Sequence, residues 1–305
     1  MRRAMLILIL AGTFAATALP QDADEPLTTE ALIDATARAA AIFAHSAPGI
    51  VARETLEQRG RRGFVQILQE QLKNRPKNTR EDGNFTVKLP PAFHTHVVVS
   101  DYALGQIGAS RAIHEIRSII TIDGRQISAA DEARHALAIG IQSEDDELKH
   151  RLLENFERNR LEGAVTDFGQ LILLFTAAAR PHYTFTMGPR RLLKGVPMIA
   201  LDYTQISGTS GLTVFHERTM TVSSTHGEIW LRTPDLLPMR IILEAETPVT
   251  GTLQVRDNAV VDYTPTGFGL APAHIHHMQF LGPDLLVEND LQYSGYQRLT
   301  PGILP

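Results

Sequence analysis

The sequence predicts an α+β fold: a curved antiparallel β-sheet, traced as a meander into a half-barrel, with an N-terminal helix and a cluster of helices inserted between strands covering it. Three observations predict this. From Tyr183 to Gln297 apolar residues alternate with polar ones between turn residues, with no helical period. Strands at that spacing, without intervening helices, are antiparallel neighbours joined by hairpins. Ahead of them, two strand-like runs are followed by three helix-like segments. Finally, apolar residues stand side by side in Val97-Val98-Val99, Ile119-Ile120, Ile241-Ile242-Leu243, Val260-Val261 and Leu285-Leu286-Val287. Successive strand residues point to opposite faces, so both faces of this sheet need cover.

The elements follow in order. Met1 to Ala18 reads as a secretory signal peptide: Arg2 and Arg3 precede an apolar run, and Ala16-Thr17-Ala18 offers the small residues of a cleavage site. The run is short for a bilayer span. Its cleavage implies a periplasmic or secreted protein; the other reading is an uncleaved anchor. Residues 19–26 form a polar tether. Thr28 or Thr29 then caps a helix with Leu27, Leu32, Ile33, Ala40, Ile42 and Phe43 on its apolar face, ended by Pro48-Gly49. Ile50 to Glu57 alternates like a strand. Residues 59–84 are basic and polar, with Pro76 and Asp82-Gly83, and read as a flexible excursion containing one short helix from Phe64 to Leu72.

Thr95 to Leu104 and Ile113 to Ile122 are strands, the second ending at the turn Asp123-Gly124. A helix runs from Ser128 to about Ile141. Ser143 with Asp146 resembles a capping box for the next, which carries Leu148, Leu152, Leu153 and Phe156 on one side. Thr166 caps a third, in which Phe168 and Leu171 to Phe175 leave almost no polar face, the pattern of a buried helix. No fixed-period repeat is present. Residues 27–298 make one domain, followed by a tail over residues 299–305.

Composition narrows the function. The chain has 305 residues, 43% of them apolar, no cysteine and a net charge of −5. That excludes a disulfide framework, thiolate-held zinc and a thiol nucleophile, and it argues against a nucleic-acid-coating protein. His94 and His96 lie two apart on one strand, as do His274 and His276, with His277 adjacent. Each pair shares a face and is a weak metal candidate that needs a third ligand; partly exposed strand histidines are the plainer reading. Gly208-Thr209-Ser210-Gly211 lacks the strand–serine–helix order of a nucleophile elbow. Glu244 and Glu246 share a strand face, but a glycosidase pair converges from separate strands. There is no glycine-rich phosphate loop, and no cofactor is expected. The cations Arg61, Arg62, Lys73 and Lys77 in the basic excursion form either a solvated loop or a docking surface for anionic membrane.

Gly227-Glu228-Ile229-Trp230-Leu231-Arg232, followed by Asp235-Leu236-Leu237-Pro238-Met239-Arg240-Ile241, resembles a tract of the outer-membrane lipoprotein carrier and sorting proteins (LolA-like). Val261-Asp262-Tyr263, the Gly267/Gly269 bend and Leu270-Ala271-Pro272 are similar to that family's closing strands. Tyr102, Gly105, Asp123-Gly124-Arg125 and Thr166-Asp167-Phe168-Gly169-Gln170 resemble a group of uncharacterised secreted bacterial proteins. The resemblance implies a half-barrel whose helix-covered side holds lipid acyl chains, a fold shared by an envelope-stress regulator. On this basis a non-enzymatic envelope protein sheltering a lipid or lipoprotein acyl chain is expected. Trp230, Ile242, Met278, Phe280 and Leu286, which break the main apolar phase of their strands, are its candidate lining. The alternative is a regulatory or structural interaction protein of the same fold with a filled concavity.

Overall fold

The computed structural model describes residues 27–63, 70, 89, 92–108, 112–143, 145–157, 161–163, 167–209, 213–216, 219–250 and 253–299. The expected signal peptide, Lys73, Lys77 and nearly all of the expected helix from Phe64 to Leu72 lie outside these residues.

Thr28 Oγ1 accepts a hydrogen bond from the Ala31 N–H at 3.2 Å and opens helix α1, Thr29–Ser46. A hydroxyl there satisfies one of the amides that a helix start leaves unpaired. Leu32, Ile33, Ala35, Thr36, Ala39, Ala40 and Phe43 form its buried stripe. Ile42, expected on the same face, is 59% exposed.

The remaining elements are β1 (Ile50–Arg61), β2 (Phe93–Ile107), β3 (Ala112–Ile122), β4 (Arg125–Gln126), α2 (Ala130–Gln142), α3 (Asp146–Glu157), β5 (Tyr183–Leu193), β6 (Val196–Gln205), β7 (Thr213–His216), β8 (Thr219–Val222), β9 (Ser224–Arg232), β10 (Leu237–Thr250), β11 (Leu253–Thr266), β12 (Gly269–Leu281) and β13 (Asp284–Arg298). Among the described residues, eleven strands form one curved, unclosed antiparallel sheet in the order β4-β3-β2-β1-β13-β12-β11-β10-β9-β6-β5. Strands β7 and β8 pair apart from it. The junction of the two halves is β1 against β13, with Leu56 opposite Leu291.

Directly opposed residues share a face, so the register sorts the side chains. The row Leu56, Leu291, Ile275, Val261, Ile241, Ile229, Leu201 crosses the sheet from β1 to β6. It packs in one cluster with the buried stripe of α1. On the opposite face α2 packs over β2 and β3, and α3 lies mainly against β3, with Phe156 in the cluster on the α1 side and Leu152 and Leu153 on this face. There Val51, Ala103, Ile107, Ile116 and Leu137 form a second cluster with Ile141, Leu152 and Leu153. Helices thus cover the α1 side of the sheet and, on the opposite face, the strands β2 and β3, while the outer face of β9 to β13 is left half-buried.

Three sequence expectations change. The third buried helix is a short 3-10 turn, Leu171–Phe175. Asp167 before it takes φ +68 and bonds to the edge of β3, which prevents a helix from starting there; Thr166, its expected cap, lies outside the described residues. Helix α3 is capped by Asp145, whose Oδ1 accepts the Glu147 N–H at 2.9 Å, while Ser143 Oγ accepts that of Asp145. And β1 runs through Arg61: Arg59 pairs with Glu288 and Thr95, and Gly60 with Val287 and His94. Ladder hydrogen bonds on both sides hold as strand what composition reads as the start of an excursion.

Candidate functional site

On the α1 side, alternation in β9 to β13 aims Ile229, Leu231, Ile241, Leu243, Ala245, Val261, Ile275 and Leu291 inward. All of them are 0% exposed. Their cover is α1 and the 3-10 turn. Phe175 of that turn stacks edge-on to Tyr203, centroids 4.7 Å apart, and Phe43 of α1 meets Tyr263 at 6.3 Å. Tyr263 Oη accepts the Ile172 N–H at 3.2 Å and pins the turn down. Burial pushes the Tyr263 hydroxyl well above its ordinary range, so it stays neutral. The row is thus sealed from solvent by its own cover.

Toward β3 the same side becomes ionic. Arg117 of β3 reaches over β2 to Glu54 of β1, with Nε 2.7 Å from Oε1 and Nη2 2.8 Å from Oε2. Nη2 also donates to Glu115 Oε2 at 2.9 Å. Glu115 further accepts the Tyr102 hydroxyl at 3.1 Å and the N–H groups of Gly169 and Asp167 at 2.8 and 2.7 Å. A Cβ on residue 169 would lie 2.5 Å from Glu115 Oε1, so only glycine lets this amide approach. Burial pushes the Glu115 carboxyl above its ordinary range, against the pull of Arg117. Burial works against the Arg117 charge, but Glu54 and Glu115 more than offset it and raise its pKa. The guanidinium carbon also stands 4.8 Å from the Phe156 ring centre. The side chains of Glu54, Tyr102, Glu115 and Arg117 are almost wholly out of solvent, which suits a structural tie between β1, β2, β3 and the segment at Asp167 to Gly169.

A second buried chain crosses the β1–β13 junction. Gln58 Nε2 donates to Asn289 Oδ1 at 2.7 Å, and Asn289 Nδ2 lies 3.0 Å from His277 Nδ1. His277 Nε2 is 3.0 Å from Asp257 Oδ1, which also accepts from Gln279. Phe168 lies against the His277 ring at 4.2 Å. Sequence reasoning missed this chain. Its only signals were Asn289 interrupting an apolar phase and His277 breaking the spacing of the histidine pair.

Four of the five expected lining residues stand on the other face of the sheet. Trp230, Ile242, Met278 and Phe280 alternate with the inward residues and stand half-buried on the face away from α1. Trp230 Nε1 donates to Glu228 Oε2 at 2.6 Å, and its ring lies 5.0 Å from the Arg240 guanidinium, itself paired with Asp262. Phe280 sits under Arg256 at 4.8 Å. Leu286 is fully buried at the irregularity between β12 and β13.

The histidine pairs do not meet. His94 and His96 are on β2 and His274 and His276 on β12, with β1 and β13 between them; the register sets the pairs on opposite faces. His96 Nδ1 is 2.9 Å from Asp123, and His274 Nε2 is 2.8 Å from Asp290. Among the described residues no cluster of three histidine or carboxylate groups is arranged to hold a metal. Of the basic candidates, Arg61 donates to the Leu285 carbonyl at 2.8 Å and lies over Phe93, while Arg62 is exposed. One cavity of about 600 Å³ lies where β2 meets α2 and α3, lined by Gly105, Ile141, Asp146, Lys149, Arg298 and others. Lys149 pairs there with Asp146 at 3.2 Å.

No protein-family model matches the chain, and no curated protein does. Solved structures similar to it include the following three. A LolA superfamily protein from Nitrosomonas europaea is 10% identical, with a TM-score of 0.30, covering 90% of this chain and 95% of its own. A DUF1329 family protein from Desulfovibrio piger is 9% identical at 0.33, covering 90% and 94%. An outer membrane lipoprotein-sorting protein domain from Vibrio parahaemolyticus is 10% identical at 0.35, also covering 90% and 94%. Nothing about function follows from likenesses this distant. The half-barrel rests on the strand order above.

Proposed function

We propose that this chain is a non-enzymatic exported envelope protein that acts by binding a macromolecular partner, on a half-barrel whose α1 side is filled. The observation behind this reading is the complete burial of the row from Leu56 to Leu201, which includes Ile229, Ile241 and Ile275. Side chains from α1 and the 3-10 turn occupy the space that an acyl chain would need.

A second reading is carriage of a lipid or lipoprotein acyl chain, the activity that the sequence resemblance implies. What favours it is the make-up of the cover. The turn Leu171–Phe175 is held by side-chain packing and by the hydrogen bond from Ile172 to Tyr263, so it can lift without breaking the sheet ladder.

Titration with a fluorescent fatty acid, together with mass spectrometry of solvent extracts from the purified protein, separates the two. The filled reading expects no saturable uptake and no co-purified lipid. Saturable uptake that Phe175→Ala enhances and Leu231→Lys abolishes would establish carriage instead.

A further inference from the structure

We infer that the tip of the β5–β6 hairpin is a membrane-docking element that inserts apolar side chains into an anionic lipid bilayer. Strand β5 is one edge of the sheet. The last β6–β9 pair is Met198 with Arg232, and the Pro197 carbonyl accepts the Thr233 N–H just beyond it. Leu192 lies opposite Pro197 at this last tether, and past it the hairpin continues alone with Leu193 opposite Val196. Lys194 and Gly195, at φ +50 and +82, close it in a two-residue turn.

The tip is apolar on both of its faces. Leu192 is 69% exposed, the highest value among the large exposed hydrophobic residues described, and Val196 on the other face is 39% exposed. Exposed leucine at the end of a projecting hairpin is unfavourable in water and favourable at the acyl boundary of a bilayer.

Charge selects the kind of surface. From Tyr183 to Leu201 the sequence carries Arg190, Arg191 and Lys194 and no acidic residue, in a chain of net charge −5. Arg191 is engaged by Glu228 at 3.0 Å. Arg190 and Lys194 are exposed and in no ion pair with another described residue. Two cations flanking exposed leucine match an anionic headgroup layer above hydrocarbon. The hairpin projects from the sheet edge, so docking here is independent of what the α1 side holds.

The test is flotation of the protein, recovered in soluble form from expressing cells, with vesicles of phosphatidylglycerol or of phosphatidylcholine at low salt. Binding to phosphatidylglycerol and not to phosphatidylcholine is expected. Reversing Arg190 and Lys194 to glutamate should weaken it by roughly thirtyfold or more. The pair Leu192→Asp and Val196→Asp should also abolish it, with the melting temperature unchanged because neither side chain belongs to the core. Arg125→Glu, an exposed change at the other sheet edge, should leave binding intact. No binding by the wild type, or binding that survives both double variants, would overturn the inference.

Discussion

Arg117 on β3 and Glu54 on β1 meet across the intervening strand as a bidentate pair, 2.7 and 2.8 Å, with side chains 1% and 0% exposed. Neither ion retains water, so each depends on the other for solvation. Removing one partner leaves an uncompensated buried charge. Arg117→Met should therefore cost about 3–5 kcal/mol, read from urea midpoints at constant slope. The double variant with Glu54→Gln should recover part of that loss. A cost below about 1 kcal/mol for Arg117→Met would mean that the pair is not buried as described.

Ile241 and Ile242 are adjacent on β10 but are 0% exposed on the α1 side and half-buried on the other face, respectively. Ile241→Ala should cost about 2–5 kcal/mol through lost packing and the cavity left behind. Ile242→Lys should cost about 1 kcal/mol or less, because its chain lies along the surface with the ammonium in water. Equal losses on thermal unfolding would show that the two faces have been assigned wrongly.

Asp123 and Gly124 both have positive φ, +52 and +75, and join β3 to β4 in a two-residue turn. Open space surrounds the position of a Cβ at residue 124, so substitution there tests backbone strain alone. Gly124→Val should destabilise by about 1 kcal/mol or more, visible as a lower melting temperature. Gly124→Asn should cost less, since asparagine tolerates this region.

His114 Nδ1 lies 3.1 Å from Asp167 Oδ2. That hydrogen bond raises the imidazole pKa above 6.5; burial opposes the rise, and the Asp167 charge adds to it. A pKa raised on folding favours the protonated form in the native state. Its stabilisation is thus complete below pH 6.5 and disappears as pH climbs through the raised value. In an NMR titration the His114 ring protons should shift above pH 6.5 in the native protein and nearer that value in Asp167→Asn. Identical titrations would remove the pair as the cause.

What the sequence determined by itself is local or periodic. A helix cap at Thr28 or Thr29 (Thr28 in the fold), Asp123-Gly124 as a tight turn and the meander from Tyr183 onward were legible because a cap, a positive φ and a period of two are written in a few neighbouring residues. The side-by-side apolar residues also pointed to cover on both faces, which helices supply on the second face over β2 and β3 but not over β9 to β12. The tertiary structure decided which face receives which cover. Trp230 and Ile242 break the apolar phase of their strands, a pattern common to a ligand lining and to an aromatic–charge ladder; only the placement of α1 puts them on the outer face. The segment around Leu171 reads as a helix, yet Asp167 and Gly169 are bonded to Glu115, and that contact outweighs helical propensity. Pairing of β1 with β13, the Glu54–Arg117 bridge and the Gln58–Asn289–His277 chain join residues far apart in sequence. Such partners are chosen by the desolvation cost of leaving buried polar groups unpaired, a cost that arises only once the sheet has closed around them.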